Sequence, residues 1–411
     1  MRCLIFLYPL FFLIVFLRGK DKQSHKLYNM IILIYFFAGL AASYIFYNLE
    51  NYRFTQLNFG AICYHLTLIF LLLTPLRKFD QRADMPLANT NQITRMFTIG
   101  IIICSIIYII DGIQYIDIYT ILNDVSSLRA DLNEGERRTD NNLIGYIAYF
   151  YTTLSVAPLV LMFYYLIKHP EKKLLIFILL ICSLGTVIVE LRFAAREFLI
   201  KFVYLSFCLF FILRKKFSKR TKKNIITGGI VLSSILLAVF LLISFLRFGD
   251  RSDTSTSLSM LNYFGQGFAN FSEGFVTHPD GVFPQKGTGT FPFFAGATRS
   301  HFNVDDLVNS NLEMNVFRTI IGSWQLDCGI YWTVIITIIY AFIFNLIGRN
   351  KHNNIFSYIY MALVFDFSFS LLFFFHENIT GTRLVTYICL FLIDFLSRPK
   401  GKQAMVKIQS N

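Results

Sequence analysis

Two arginines, Arg192 and Arg196, stand four residues apart between two apolar stretches, with Glu190 and Glu197 beside them. If a helix continues through them, both guanidinium groups lie on one face, because residues four apart are neighbours on a helix. A guanidinium ion is planar and donates paired hydrogen bonds to phosphate oxygens, so the spacing predicts a phosphate clamp. The alternative is a simple interfacial charge cluster. We favour the clamp because the apolar stretches run directly into the charges.

Residues 247–315 form the one long polar passage between two hydrophobic stretches. They combine carboxylates and amide side chains with many phenylalanines and tyrosines, and aromatic faces beside such groups suit sugar rings. The alternative is that these aromatic residues belong to helices lying in the headgroup layer. Residues 259–264 fit such a half-buried helix, whereas the Pro and Gly content of residues 278–299 indicates a loop.

The elements that position these residues are membrane helices. Hydrophobic residues make up 55% of the 411, charged residues only 15%, and the mean hydropathy is +0.55, which indicates a polytopic membrane protein. Irregular backbone cannot face lipid, so the apolar windows must be helices. We predict an all-α fold, a single membrane domain over residues 1–411, with about eleven transmembrane helices and one large external loop at 247–315. The predicted spans are 4–17, 28–47, 57–76, 96–115, 143–167, 174–189, 198–213, 225–246, 320–347, 355–375 and 384–396.

The net charge of +13 is distributed as a topology signal. Alternate polar segments hold 24 of the 38 Lys and Arg residues, and the segments between them hold 11. By the positive-inside rule the richer set, which includes 77–95, 214–223 and 349–351, is cytoplasmic. This places the amino terminus outside and the carboxyl terminus in the cytoplasm. The remaining role of the basic surplus is attraction to anionic headgroups of the lipid bilayer, and we expect no nucleic-acid partner.

Ionisable side chains inside the membrane are functional candidates by default. We nevertheless expect His65 to be a hydrogen-bonded core residue, and Asp366 to face the bundle and pair with a polar group. The turn 376–383, which ends in Arg383, adds a compact polar set near the external loop. The seven cysteines are scattered without a CxxC pair, so their spacing supports neither a zinc site nor a disulfide framework.

Three motifs in the second half of the chain form a family pattern. They are the junction at Arg192 and Arg196; a late loop introduced by Arg247, with Tyr263 and Asn270-Phe271 downstream; and Asn315-x-Phe317 followed by Asp327-x-Gly329. With these motifs the chain resembles the bacterial oligosaccharide repeat-unit polymerases, the Wzy-like O-antigen or capsule polymerases, which are related to the O-antigen ligases. The motifs cover about half of the chain.

The resemblance implies a GT-C-like glycosyltransferase of the bacterial cytoplasmic (inner) membrane. Such an enzyme transfers a glycan from undecaprenyl diphosphate to the non-reducing sugar of another lipid-linked repeat unit, on the outer face. The lipid diphosphate is already a good leaving group, so the reaction requires neither a metal nor a cofactor. The site must supply positive charge for the diphosphate and orient the acceptor hydroxyl, with a side chain taking its proton. The undecaprenyl-diphosphate-linked oligosaccharide is thus the expected partner, and a chain-length regulator protein is a further candidate.

The resemblance also implies roles for particular residues. The candidate catalytic residues are Arg192, Arg196, Arg247, Glu273 and His301, with the arginines binding diphosphate and the other two accepting a proton. The candidate substrate-binding residues are Arg251, Tyr263, Asn270, His278, Asp280, Arg299, Arg318, Asp327 and Arg383. Of these, His278 and Asp280 are alternative proton acceptors.

Two other functions stay open at this point. An O-antigen ligase uses the same donor with a lipid A core acceptor, and a flippase carries lipid-linked sugars across the membrane without chemistry. Transporters of this size often contain repeated halves and broken helices near the midplane. We favour a polymerase over a flippase because the sequence shows no internal repeat. In addition, few charged residues lie within the predicted membrane spans, and the polar residues concentrate outside them.

Overall fold

A computed structural model of the protein describes most of the chain. The described residues are 2–20, 25–52, 55, 57–81, 85, 87–88, 91–117, 119–120, 143–193, 195–248, 256–281, 319–349, 354–372 and 380–397. Every regular element in these ranges is helical. The main helices are α1 (Leu7–Gly19), α2 (Lys26–Asn48), α3 (Phe59–Leu73), α4 (Gln92–Ile113), α5 (Leu143–Thr153), α6 (Ala157–Lys168), α7 (Lys173–Ser183), α8 (Gly185–Glu190), α9 (Glu197–Leu213), α10 (Lys219–Phe248), α11 (Thr256–Ala269), α12 (Phe271–Thr277), α13 (Thr319–Arg349), α14 (Ile355–Ser370) and α15 (Thr380–Ser397).

Seven helical segments of the described ranges are long and apolar enough to cross a membrane. They are Arg2–Gly19, Lys26–Asn48, Phe59–Lys78, Gln92–Ile113, Lys173–Glu190, Lys219–Leu246 and Thr319–Arg349. α6 and α14 are shorter apolar helices. The described part of the chain is therefore all-helical and has the segments of a polytopic membrane protein, as predicted. The count of eleven, the GT-C-like architecture and the orientation of the termini stay predictions.

Three of the predicted spans are interrupted. The span 143–167 divides into α5 and α6, where Pro158 in the first turn of α6 has no N–H to continue the preceding helix. The span 174–189 divides at Leu184 into α7 and α8. α13 kinks at Gly329, whose φ of 78° and ψ of 175° suit glycine alone. Interrupted membrane helices are tolerated where the freed backbone groups face protein.

The polar passage 247–315 contains packed helices within its described part. α11 lies along α2, and the contact is so close that a Cβ atom on Gly265 would lie 2.4 Å from the Ala42 backbone nitrogen. α12 packs against α3 and α13. The prediction of a half-buried helix at 259–264 is confirmed. The segment 256–277 is thus part of the helical bundle and not loop, because small residues let its backbone approach α2.

α14 lies at the centre of the bundle. Every residue from Ile355 to Ser370 is buried, which is expected of a helix that neighbours cover on all sides. Those neighbours include α6, α9, α13 and α15. α14 therefore carries Asp366 into the interior, where the carboxylate requires partners from the surrounding helices.

Candidate functional site

The arginine junction is a break between two helices. α8 ends at Glu190, a 3₁₀ turn covers Leu191–Phe193, and Arg196 precedes the first residue of α9. The helix therefore does not continue through the arginines, and the shared helical face expected from their spacing does not form. Instead Arg192 is half-buried, whereas Arg196 is buried, with 3% of its surface exposed.

Arg196 is held by α10 and α11. Its Nη1 atom donates a hydrogen bond of 2.7 Å to the Ser244 hydroxyl, which itself donates to the Phe240 carbonyl. The guanidinium carbon lies 5.1 Å from the centre of the Tyr263 ring and 5.6 Å from that of Phe240, within the range of cation–π attraction. Two residues that were predicted separately, Arg196 and Tyr263, are thus in contact.

A buried ion network joins α9, α14 and α15. The Lys201 ammonium lies 2.6 Å from Asp366 Oδ1, and the Arg383 guanidinium lies 3.2 Å from Asp366 Oδ2. Arg383 also donates to the Ser370 hydroxyl at 3.1 Å. The expectation that Asp366 pairs inside the bundle is confirmed. Arg383, predicted as a substrate contact, is buried and bound to Asp366, whose carboxylate has lost its water and is stabilised by paired cations.

Glu197 connects the arginine junction with the ion network. It is the first residue of α9 and interacts electrostatically with Lys201, Asp366, Arg383 and Glu190. On the far side, Glu190 accepts a hydrogen bond of 3.4 Å from the Tyr108 hydroxyl, and Arg192 interacts with the same tyrosine.

We call this set the junction site. Its members are Glu190, Arg192, Arg196, Glu197, Lys201, Asp366 and Arg383. They comprise four basic and three acidic side chains, so the set has one positive charge in excess. In surroundings of low dielectric constant such an excess attracts an anion much more strongly than it would in water. A carboxylate beside the cations can also accept or orient a proton.

A second group of predicted residues meets at the kink of α13. The turn after α12 lies against Gly329: Ile330 N donates to the Pro279 carbonyl at 3.1 Å, and a Cβ atom on Gly329 would lie 3.0 Å from the Asp280 carbonyl oxygen. Gln325 Nε2 donates to the His278 carbonyl at 2.6 Å. Asp280 therefore contacts the Asp-x-Gly motif through its backbone, and His278 contacts Gln325, which lies two residues before that motif. Asp327 is buried within the kink.

His65 is a satisfied core residue, as predicted. Its Nδ1 atom lies 2.9 Å from the Tyr8 hydroxyl and its Nε2 atom 2.9 Å from the Thr319 hydroxyl. The ring stacks on Phe271 with centroids 3.8 Å apart. These contacts use both ring nitrogens and one face, which leaves no group of this histidine directed to a substrate.

The other predicted site residues have separate positions. Arg247 lies in α10, three residues after Ser244. Asn270 is buried between α11 and α12, and Glu273 is exposed on α12. The described contacts of Glu273 do not include the arginines of the junction site. Four predicted residues lie outside the described residues: Arg251, Arg299, His301 and Arg318.

Sequence reasoning missed two members of the network. Lys201 is not among the site residues predicted from the sequence, and Glu197 is predicted only as a neighbour of the arginines. Lys201 stands within the predicted span 198–213, and Asp366 within the span 355–375. Charges of opposite sign in two membrane spans predict a pairing, since neither is stable alone in an apolar interior. That signal was present in the sequence.

The described residues contain no group of three or more His, Cys, Asp or Glu side chains that could hold a metal ion. Comparisons with protein-family models, with curated proteins and with solved structures gave no match to this chain. The functional interpretation therefore depends on the junction site itself and on the sequence motifs.

Proposed function

We propose that the protein is a membrane glycosyltransferase that polymerises lipid-linked oligosaccharide repeat units. The donor is a glycan on undecaprenyl diphosphate, and the acceptor is the non-reducing sugar of a second lipid-linked unit on the outer face of the cytoplasmic membrane. The product is an O-antigen or capsular polysaccharide. The observation that carries this proposal is the collection of charged side chains at the break between α8 and α9. Lys201 and Arg383 interact with Glu197 there, and Arg192 and Arg196 precede it in the chain.

The chemistry of the transfer matches that arrangement. When the glycosidic bond to the diphosphate breaks, negative charge develops on the phosphate oxygens, and the transition state is stabilised by fixed positive charge at that point. Arg192 is the half-buried cation of the junction, so we assign it direct contact with the diphosphate. Arg196, buried four residues further on, is oriented by Ser244 and the Tyr263 ring. Arginine supplies this charge through bidentate hydrogen bonds.

The network behind the junction has a supporting role in this proposal. Lys201 and Arg383 together outweigh the single charge of Asp366, so they extend the positive field towards Glu197. A cation cluster fixed by packing does not need to reorganise during the reaction, and such preorganisation is the main source of electrostatic catalysis. Tyr263 and Phe264 of α11 are half-buried, and their rings provide apolar faces for a sugar.

The test is deletion of the gene in its host, followed by gel electrophoresis of the surface polysaccharide. For a polymerase, the ladder of chain lengths collapses to single capped repeat units, and the wild-type gene restores it. Loss of every capped form while lipid-linked chains still elongate indicates a ligase. Accumulation of single units on the inner face indicates a flippase, and either of these results overturns the proposal.

A further inference from the structure

Lys78 and Arg349, neither of which belongs to the junction site, stand at the ends of two candidate membrane helices. Lys78 closes the 3₁₀ turn that extends α3, and Arg349 is the last residue of α13. The two cations lie close enough to interact electrostatically. Both belong to segments that the charge distribution assigns to the cytoplasmic face, 77–95 and 349–351.

The position of Lys78 is fixed by α13. A Cβ atom on Gly348 would lie 3.1 Å from Lys78 Cβ and 3.4 Å from Lys78 Cδ, so the aliphatic part of the lysine lies directly against this glycine. Its ammonium group donates a hydrogen bond to Asn345 Oδ1. The long side chain has therefore already lost much of its freedom, and a ligand that binds there pays less for ordering it.

Two like charges near each other repel, and an anion bound between them offsets this repulsion. Among the described residues, neither Lys78 nor Arg349 forms a salt bridge with a carboxylate. Arg349 is exposed and Lys78 is half-buried, so both ammonium and guanidinium groups are accessible from the membrane surface.

The adjacent surface of α13 is apolar and exposed. Phe342 and Leu346 have 60% and 50% of their surfaces exposed, and they stand seven and three residues before Arg349. Residues three, four and seven apart fall along one side of a helix. An apolar strip thus runs along α13 from Arg349.

We propose that Lys78, Asn345 and Arg349 bind the phosphate of an anionic membrane phospholipid, with its acyl chains along Phe342 and Leu346. A phosphate group offers oxygens to both cations and removes their repulsion. The strip of apolar side chains selects a lipid over a soluble anion, because only a lipid covers it. The inference is independent of the proposed glycosyl transfer.

The experiment is native mass spectrometry of the purified full-length protein in detergent, titrated with phosphatidylglycerol or with phosphatidylcholine of the same acyl chains. Wild-type protein binds phosphatidylglycerol preferentially. Lys78→Gln and Arg349→Gln each weaken that binding about fivefold, the effect of one basic residue near an anionic lipid surface. Asn345→Ala weakens it about threefold without any change of net charge, because Lys78 loses the acceptor that holds it.

Lys222→Gln is the matched control. Lys222 is exposed on α10 in the predicted cytoplasmic segment 214–223, and its removal takes away one charge without touching the proposed site. An equal loss in Lys222→Gln, or no loss in Arg349→Gln, overturns the site. Arg349 is exposed at a helix end, so its variant tests the proposal even if a Lys78 variant folds poorly. Displacement of phosphatidylglycerol by millimolar inorganic phosphate overturns the assignment to a lipid headgroup.

Discussion

Two clusters of buried polar side chains in this bundle are compensated for the loss of water in different ways. Around His65, the hydroxyls of Tyr8 and Thr319 occupy both ring nitrogens, and no charged side chain takes part in these contacts. Around Asp366, Lys201 and Arg383 supply two cations to one carboxylate. The first cluster is complete, whereas the second carries an excess of positive charge and extends through Glu197 to Glu190.

The difference separates structure from candidate function. A complete hydrogen-bonded cluster fixes the packing of α1, α3 and α13 and has nothing to offer a ligand. A cluster with surplus charge beside a helix break can attract an anion. Stability and activity measurements should therefore respond differently in the two clusters.

The largest effect is expected for Asp366→Ala. The substitution leaves Lys201 and Arg383 with side chains that are 16% and 8% exposed and without their carboxylate. Removing one partner of such a buried pair costs about 3–5 kcal/mol. Unfolding in detergent, followed by circular dichroism, measures the loss. Asp111→Ala is the control, since Asp111 is half-buried at the end of α4, and should change the free energy by less than about 0.5 kcal/mol. Equal values for the two variants would contradict a buried network.

Arg192→Ala should stop chain growth with little effect on the amount of protein in the membrane. If Arg192 contacts the diphosphate, its loss slows transfer about 10²–10³-fold, the usual effect of removing one group that stabilises a charged transition state. The measurement is polymer length on gels, with the membrane level checked by immunoblot. Arg95→Ala, an exposed residue of α4, should polymerise normally. Full activity of Arg192→Ala would remove this residue from the site.

His65→Leu should lower the stability of the protein but leave chain growth unchanged. It leaves the buried hydroxyls of Tyr8 and Thr319 without their partner and costs about 1–3 kcal/mol of unfolding free energy. Polymer length per folded molecule should stay at the wild-type value, as should that of the partly exposed His169→Leu control. Loss of chain growth at unchanged stability would place His65 in the functional site and break the contrast between the two clusters.

The smallest effect concerns Asp80, a half-buried carboxylate just beyond the span Phe59–Lys78. It accepts hydrogen bonds of 3.3 and 3.1 Å from the Leu27 backbone at the start of α2. Burial raises the pKa of Asp80 from 3.8 to about 6 despite these bonds. The Asp80 carboxyl thus binds a proton more tightly in the folded protein than in the unfolded chain. The contribution of this proton binding to the free energy of unfolding is complete below about pH 4 and is lost as pH rises through about 6.

Asp80→Asn tests this pH dependence. In the variant, the difference in unfolding free energy between pH 4.5 and pH 7.5 should be about 1 kcal/mol smaller than in the wild type. This value allows for partial solvent screening. Unfolding titrations of both proteins at the two pH values measure it. The same pH slope in wild type and Asp80→Asn would show that other carboxylates produce the effect.

Much of the site could be anticipated from residues alone. The arginine junction was found because charges interrupt an apolar sequence, and the behaviour of His65 and Asp366 followed from the cost of burying polar groups. The two arginines do not share a helical face, since the spacing of four holds only within a continuous helix and α8 ends at Glu190. The predicted spans 174–189 and 198–213 already place a break there.

The sequence by itself determined the class of the protein, because apolar windows must form helices in lipid. Only the tertiary structure decided which charges meet. Lys201, Asp366 and Arg383 come from three different helices, and Tyr263 reaches Arg196 because Gly265 lets α11 pack closely on α2. Composition and hydropathy are properties of each segment alone, whereas a pairing between segments depends on how their surfaces fit.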